Sequence, residues 1–231
     1  MKKIGIIGGL GPESTIDYYK GIINAFRRIY SGLASPEIII YSADVTRLLE
    51  LAEAKQWDEL TEWLLERISA LHRAGAQFAA IGSNTPHIVF HEVESRSPVP
   101  MLSIVEETCL KAESLGLNIL GLMGTKFTME SDFFQKPFHE KGMSVVVPKS
   151  DEIQVIHNRL MSEIELGIIK ESTRRELLSI VKRMKDEDTI EALILGCTEL
   201  PQILDKEEYG ITFLNTTAIH IDSIVKYCIR R

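Results

Sequence analysis

Short runs of β-branched and other apolar residues alternate with longer amphipathic stretches along the whole 231-residue chain, and this alternation restricts the fold more than any other feature. The apolar runs fall at 4–7, 37–42, 77–81, 100–104, 118–123, 144–147, 189–195 and 211–214. Helical patterns at 12–30, 57–74, 84–96, 106–115, 128–141, 152–166, 173–185 and 216–229 separate most of them. Runs such as Ile38-Ile39-Ile40 and Ala192-Leu193-Ile194-Leu195 are apolar on both faces, which suits parallel strands buried between helices. Strand and helix in alternation, with buried strands, predict an α/β fold with parallel sheets.

Charge and cysteine usage narrow the class further. The 26 Lys and Arg against 33 Asp and Glu leave a net charge of −7, which argues against a nucleic-acid or anionic-membrane partner. No apolar run approaches the roughly 20 residues a spanning helix needs. The N-terminal Met-Lys-Lys-Ile-Gly-Ile-Ile has too short an apolar stretch for a signal peptide and runs into a Gly-rich turn, so it reads as a strand. Three cysteines, Cys109, Cys197 and Cys228, do not make a disulfide framework in a chain of this size, and a reducing, cytoplasmic setting is expected.

A weak internal echo divides the chain. Ile81-Gly82-Ser83-Asn84-Thr85 follows one predicted strand, and Leu195-Gly196-Cys197-Thr198-Glu199 follows another about half a chain length later. Two similar α/β lobes are therefore expected, the first from 1–100 with 212–231 and the second from 101–211. Ligands of parallel α/β sheets bind beyond the carboxyl ends of the strands, where Ser83 and Cys197 both fall. If the lobes face each other, both side chains point into one cleft.

Several residues carry possible chemistry. Gly9-x-Gly11, with Ser14 where a third small residue is usual, resembles a dinucleotide fingerprint, but Asp44 comes well past the roughly 20 residues such a motif wants. A tight turn that brings backbone close to a small carboxylate is the plainer reading. Cys197 lies at a strand end with a helix expected to start at its own amide, so its thiol should ionise readily. Cys109 and Cys228 fall within helical stretches and read as small buried hydrophobes. His87 and His91 have the i, i+4 spacing of helical zinc ligands, but no third ligand is evident and no metal is expected. His220 opens a further helix, with capping and a site role both open.

Four motifs together resemble the aspartate/glutamate racemase family: Ile7-Gly8-Gly9-Leu10-Gly11-Pro12, Ser83-Asn84-Thr85-Pro86-His87, Gly124-Thr125-Lys126-Phe127-Thr128-Met129 and Gly196-Cys197-Thr198-Glu199-Leu200-Pro201. They occur in order over nearly the whole chain, to about Thr216-Thr217-Ala218-Ile219-His220. The resemblance implies a cofactor-independent amino-acid racemase of two pseudo-symmetric lobes, often a homodimer, with the site in the cleft between them. It also implies a pair of cysteines, one removing the α-proton and the other returning a proton on the opposite face. Cys197 matches one of the pair, but Ser83 stands at the other position, and a hydroxyl is a far weaker acid than a thiol. The resemblance implies that Cys197 acts on the L-enantiomer and that Ser83 serves as acid on the other side.

Asn84-Thr85 and Thr198-Glu199 are expected to supply backbone donors for the substrate carboxylate, and Thr125 and Thr128 hydroxyls, with Leu10 also at the substrate. Arg47 falls where some aspartate-specific relatives read the side-chain carboxylate, so aspartate or glutamate is the expected substrate. A basic residue such relatives carry before the later Gly is replaced: Glu163 and Glu165 precede Gly167, and they would repel a distal carboxylate unless they face solvent. Asn215 stands where the family has Asp. A decarboxylase of the same superfamily, or an amino-acid-binding homologue that has lost the chemistry, is the alternative.

Overall fold

The computed structural model describes residues 1–30 and 32–230. Strands β1 (Ile4–Gly8), β2 (Ile38–Ser42), β3 (Phe78–Ile81) and β4 (Met101–Leu102) form one sheet in the order β2-β1-β3-β4. Strands β5 (Ile119–Met123), β6 (Ser144–Val146), β7 (Ala192–Leu195) and β8 (Thr212–Asn215) form a second in the order β6-β5-β7-β8. Every pairing in both sheets is parallel. The strand order of one sheet repeats in the other, which is the two-lobe α/β architecture expected from the internal echo.

The chain divides into two compact units, Met1–Glu107 with Thr217–Arg231, and Thr108–Thr216. These boundaries fall later than the expected 100 and 211, and strand pairing is the reason. β4 joins β3 in the first sheet, and β8 joins β7 in the second. The final helix, Thr216–Ile229, still returns to the first unit.

In the first unit, strand alternation sorts the core onto two faces. Ile7, Ala79 and Ile81 pack with Leu48, Leu51, Leu60, Leu64 and Ile68 from the helices Val45–Glu53 and Trp57–Arg73. Ile4, Ile6, Phe78 and Ala80 pack on the other face with Tyr18, Ile22 and Phe26 of helix Pro12–Ile29 and with Ile224, Val225 and Cys228. The second unit has its own core, in which Met123, Leu193 and Leu195 meet Ile156 and Leu160 of helix Ser150–Ser162 and Leu177, Val181 and Met184 of helix Glu171–Asp188. Among the described residues no helix is long and apolar enough to cross a membrane.

Three local departures from the sequence pattern matter. Helix Val45–Glu53 was not anticipated; Asp44 caps it by accepting from the Thr46 N–H at 2.9 Å, and Leu48, Leu51 and Ala52 bury its inner face. The single helix expected over 128–141 is two short ones, Lys126–Glu130 and Lys136–Glu140, with Ser131 extended between them and Pro137 in the opening turn of the second. The helix expected over 152–166 ends at Ser162, Glu163 leaves helical geometry, and a 3-10 turn Ile164–Leu166 closes on Gly167 at φ +72°.

The Gly-rich first turn is a packing device. Gly9 has φ +77°, and a Cβ there would sit 2.3 Å from the Ala43 carbonyl oxygen. Its N–H donates to Thr15 Oγ1 at 2.8 Å, and Ser14 Oγ donates to the Gly11 carbonyl at 2.8 Å. The close approach of the loop after β2 thus requires the first glycine of the spacing, Gly9.

Candidate active site

Both sheets present the same local geometry where the first and third strands run side by side. Gly82, after β3, donates to the Ile7 carbonyl at 2.9 Å, and Gly196, after β7, donates to the Met123 carbonyl at 2.6 Å. In each unit this is the point where the strand order reverses, the usual crevice for ligands of open parallel sheets. Ser83 and Cys197 are the residues that follow these glycines, each in its own unit.

Beyond β3, Ser83 is half-buried and Asn84 is buried, with both Asn84 side-chain atoms lacking a hydrogen-bond partner. A buried amide with no partner is costly in a folded chain and marks a place where a polar ligand would be accommodated. Thr85 opens a 3-10 turn, Thr85–Val89, in place of the helix expected from 84. His87 lies on it, stacked on Phe90 with centroids 5.0 Å apart, and its Nε2 accepts the Ile104 N–H at 3.3 Å. That acceptor role places the ring proton on Nδ1, which is buried facing the Ser83 and Asn84 backbone. Burial first, and His220 second, lower His87 to about 3, so the ring is neutral. His91 is exposed beside Glu106 at 3.9 Å, and the two histidines form no shared ligand set.

His220 does not cap its helix. It is the fifth residue of its helix, fully buried, with Nδ1 accepting from Tyr18 O–H at 2.7 Å and Nε2–H donating to the Leu102 carbonyl at 3.1 Å.

Beyond β7 the chain makes a turn and a 3-10 segment, Leu200–Gln202, rather than a helix starting at the Cys197 amide. The dipole expected to ionise the thiol is therefore missing. Cys197 Sγ lies instead 3.1 Å from Glu199 Oε2 and 3.3 Å from Glu165 Oε1. Burial, then Glu199, then Glu165 push the Cys197 thiol well above its ordinary range, the reverse of the expectation from sequence. Glu199 Oε2 also accepts from Thr198 Oγ1 at 2.7 Å, while its Oε1 is buried without a partner. Burial, and then the charge of Glu199, raise Glu165 to about 7.

The sequence put Glu165 where some relatives carry a side-chain-binding basic residue, but gave no sign that its carboxylate would reach the Cys197 sulfur. The break in the helix at Glu163 brings it there. Glu163 does not face solvent; it is buried and accepts from Arg159 at 3.0 Å, Lys170 at 3.0 Å and Thr173 Oγ1 at 2.5 Å. Those hydrogen bonds, Thr173 foremost, hold its carboxyl below the usual range. Among the described residues, Glu165, Cys197 and Glu199 are also the group compact enough to hold a metal ion, with one donor atom each within 4.8 Å of the others.

Of the remaining predicted residues, Thr128 packs beside Gly196, its Cγ2 within 3.5 Å of where a Cβ on that glycine would lie. Thr125 caps the helix Lys126–Glu130, its Oγ1 accepting the Thr128 N–H at 3.3 Å and lying 3.1 Å from Thr128 Oγ1. Leu10 is buried in the first unit's core. Arg47 is exposed on helix Val45–Glu53 and pairs with Glu50 and Glu59, each at 3.3 Å. Asn215 ends β8 in register with Leu195. Cys109 and Cys228 are buried, with Sγ donating to the Pro137 and Lys2 carbonyls at 3.3 and 3.0 Å.

Known proteins place this arrangement. The model of the Asp/Glu/hydantoin racemase family matches residues 7–224. The broad specificity amino-acid racemase RacX of Bacillus subtilis is 26% identical over 225 residues, covering 96% of each chain. A crystal structure of an aspartate racemase homologue from Pyrococcus horikoshii is 34% identical with a TM-score of 0.88, and each chain is covered in full. A Yersinia pestis protein assigned as an Asp/Glu racemase, 30% identical and likewise covered in full, superposes with a TM-score of 0.92. With the motif residues on strand-end loops of two sheets of the same order, the chain belongs to the Asp/Glu/hydantoin racemase family.

Proposed function

We propose that this member of the family interconverts the enantiomers of a free amino acid without a pyridoxal cofactor, with Cys197 as the base on the L-face and proton return from the Ser83 side. The observation that supports this most is the setting of Cys197, a thiol at a strand end within 3.1–3.3 Å of two carboxylates. A resting thiol held up by two acids is no base. It becomes one when a cationic group of the substrate, such as its ammonium, offsets those charges and the thiol proton passes to a carboxylate. The thiolate then takes the α-proton, and backbone N–H groups at the strand-end loops stabilise the carboxylate as it becomes enediolate-like. The Ser83 hydroxyl returns a proton on the other face, directly or through water.

Aspartate and glutamate are the substrates the family resemblance implies, with Arg47 reading the distal carboxylate. Against them stands the acid pair at the thiol, and Arg47 is a surface residue whose side chain is 45% exposed. The same pair weighs against a decarboxylase acting on a dicarboxylic acid. The test is α-hydrogen exchange and racemisation in D2O across the twenty L-amino acids. Cys197→Ala should lose about 10²–10⁴ in rate, the usual worth of a general base, whereas Cys109→Ala and Cys228→Ala should keep activity. Racemisation by the Cys197→Ala protein would overturn the assignment.

A further inference from the structure

Two carboxylates and a thiol share one partly buried space, and among the described residues no basic side chain pairs with them. Glu165 Oε1 and Glu199 Oε2 both lie at the Cys197 sulfur, at 3.3 and 3.1 Å, and Glu199 Oε1 is buried with no partner. Among the described residues no lysine or arginine pairs with Glu165 or Glu199. The nearby cations are committed elsewhere, Arg159 to Glu163 and Glu176 and Lys170 to Glu163. Like charges this close in a partly dehydrated site are stabilised by sharing a proton or by a cation that takes its place.

The two acids are not equivalent. Glu199 is anchored, with Oε2 accepting from Thr198 and the whole residue buried. Glu165 sits on the short 3-10 turn Ile164–Leu166, is only half-buried, and extends its carboxylate toward the sulfur. A base removing an α-proton approaches Cα to about 3–3.5 Å. Glu165 then lies within about 7 Å of Cα, a span that the side chain of lysine, ornithine or arginine covers. From these placements we infer that Glu165, supported by Glu199, is a specificity-determining residue that selects amino acids with a positively charged side chain. The inference rests on the racemase reading for the position of Cα, and it replaces a distal carboxylate with a distal cation as the preferred side-chain chemistry.

The experiment compares L-lysine, its neutral near-isostere L-norleucine and L-aspartate as substrates for α-deuteration, alongside calorimetric binding of each. Wild-type protein should favour lysine over both by at least tenfold in kcat/KM and in affinity. Glu165→Gln should cut the lysine-to-norleucine ratio at least tenfold, and Glu165→Lys should turn the preference toward aspartate, with melting curves confirming that both variants fold. A wild-type preference for aspartate, or a lysine-to-norleucine ratio unchanged in Glu165→Gln, overturns the inference; the latter would mean that Glu165 meets only the α-ammonium or the fold. If no amino acid exchanges its α-hydrogen yet lysine binds in preference and Glu165→Gln abolishes that preference, the charge selection stands and the racemase reading falls. Absence of both turnover and binding for lysine overturns the charge selection.

Discussion

Ser83 and Cys197 occupy matching positions in sheets of the same order, but their acidities differ by many orders of magnitude. Even held above its ordinary range by burial and two acids, a thiol can reach a thiolate once those charges are offset, whereas a serine hydroxyl scarcely ionises in water. His87 does not make up the difference, because burial keeps its ring neutral with a conjugate-acid pKa of about 3 and leaves its Nδ1–H as a hydrogen-bond donor rather than a proton source. If Cys197 and Ser83 act as proposed, proton exchange should therefore be unequal on the two faces of the substrate. Starting from an L-amino acid in D2O, label should enter the L-pool faster than D-product appears, since Cys197 can return a deuteron to the face it has just deprotonated. From the D-enantiomer, little label should accumulate in unreacted substrate. Ser83→Cys should raise racemisation and make the two patterns alike. Equal labelling of both pools by the wild-type protein from the first time points would show that the Ser83 side has a competent base. Whatever the asymmetry, kcat/KM must match in the two directions, because the equilibrium constant between enantiomers is one.

Turns and helix ends decide which of these side chains meet. Gly9 lets the loop after β1 pass against the Ala43 carbonyl, and Gly9→Ala places a Cβ 2.3 Å from that oxygen at φ +77°. The substitution should cost about 2 kcal/mol or more in urea unfolding, and a neutral effect would mean that the loop can move away from the strand beside it. The strands themselves were legible in the sequence from their apolar runs, but burial on both faces holds only for Ala192-Leu193-Ile194-Leu195; Ile38-Ile39-Ile40 lies at the sheet edge and leaves Ile40 exposed. Helix Val45–Glu53 could have been found from Asp44 as cap and Leu48, Leu51 and Ala52 at helical spacing. Cys197 and the loops after β3 and β7 were legible from Gly82-Ser83 and Gly196-Cys197. The approach of Glu165 was not. Periodicity runs one helix through to Leu166, whereas the break falls at Glu163, whose buried carboxylate meets the partly exposed Arg159 and Lys170, contacts set by folding rather than by local pattern. The high thiol pKa was hidden for the same reason: it follows from Glu165 and Glu199 in space, whereas the sequence position promised a helix dipole.

At the scale of the whole molecule, two units with separate cores carry titrating groups of opposite sign. His87 and His220 both lie in the first unit, and burial lowers them from near 6.5 to about 3 and about 4. Between pH 6.5 and about 4 the unfolded chain holds protons on both that the folded unit refuses. Stability of that unit is thus full above pH 6.5 and falls with pH, by about 1.4 kcal/mol per pH unit for each histidine. Asp17 and Glu106, both raised by burial, offset part of the loss. In the second unit Glu165, raised from 4.5 to about 7, keeps a proton the unfolded chain has lost, so its contribution grows as pH falls from 7 to 4.5. Both tryptophans of the chain, Trp57 and Trp63, belong to the first unit, so their fluorescence reports that unit while far-UV ellipticity reports both. On titration from pH 7 to 4 in a fixed, sub-denaturing urea concentration, the tryptophan transition should come at higher pH than the loss of ellipticity. His220→Gln, which removes the titrating ring, should shrink the difference in first-unit stability between pH 7 and pH 5. Coincident fluorescence and ellipticity transitions in the wild-type protein would show instead that the two units answer acid as one cooperative body.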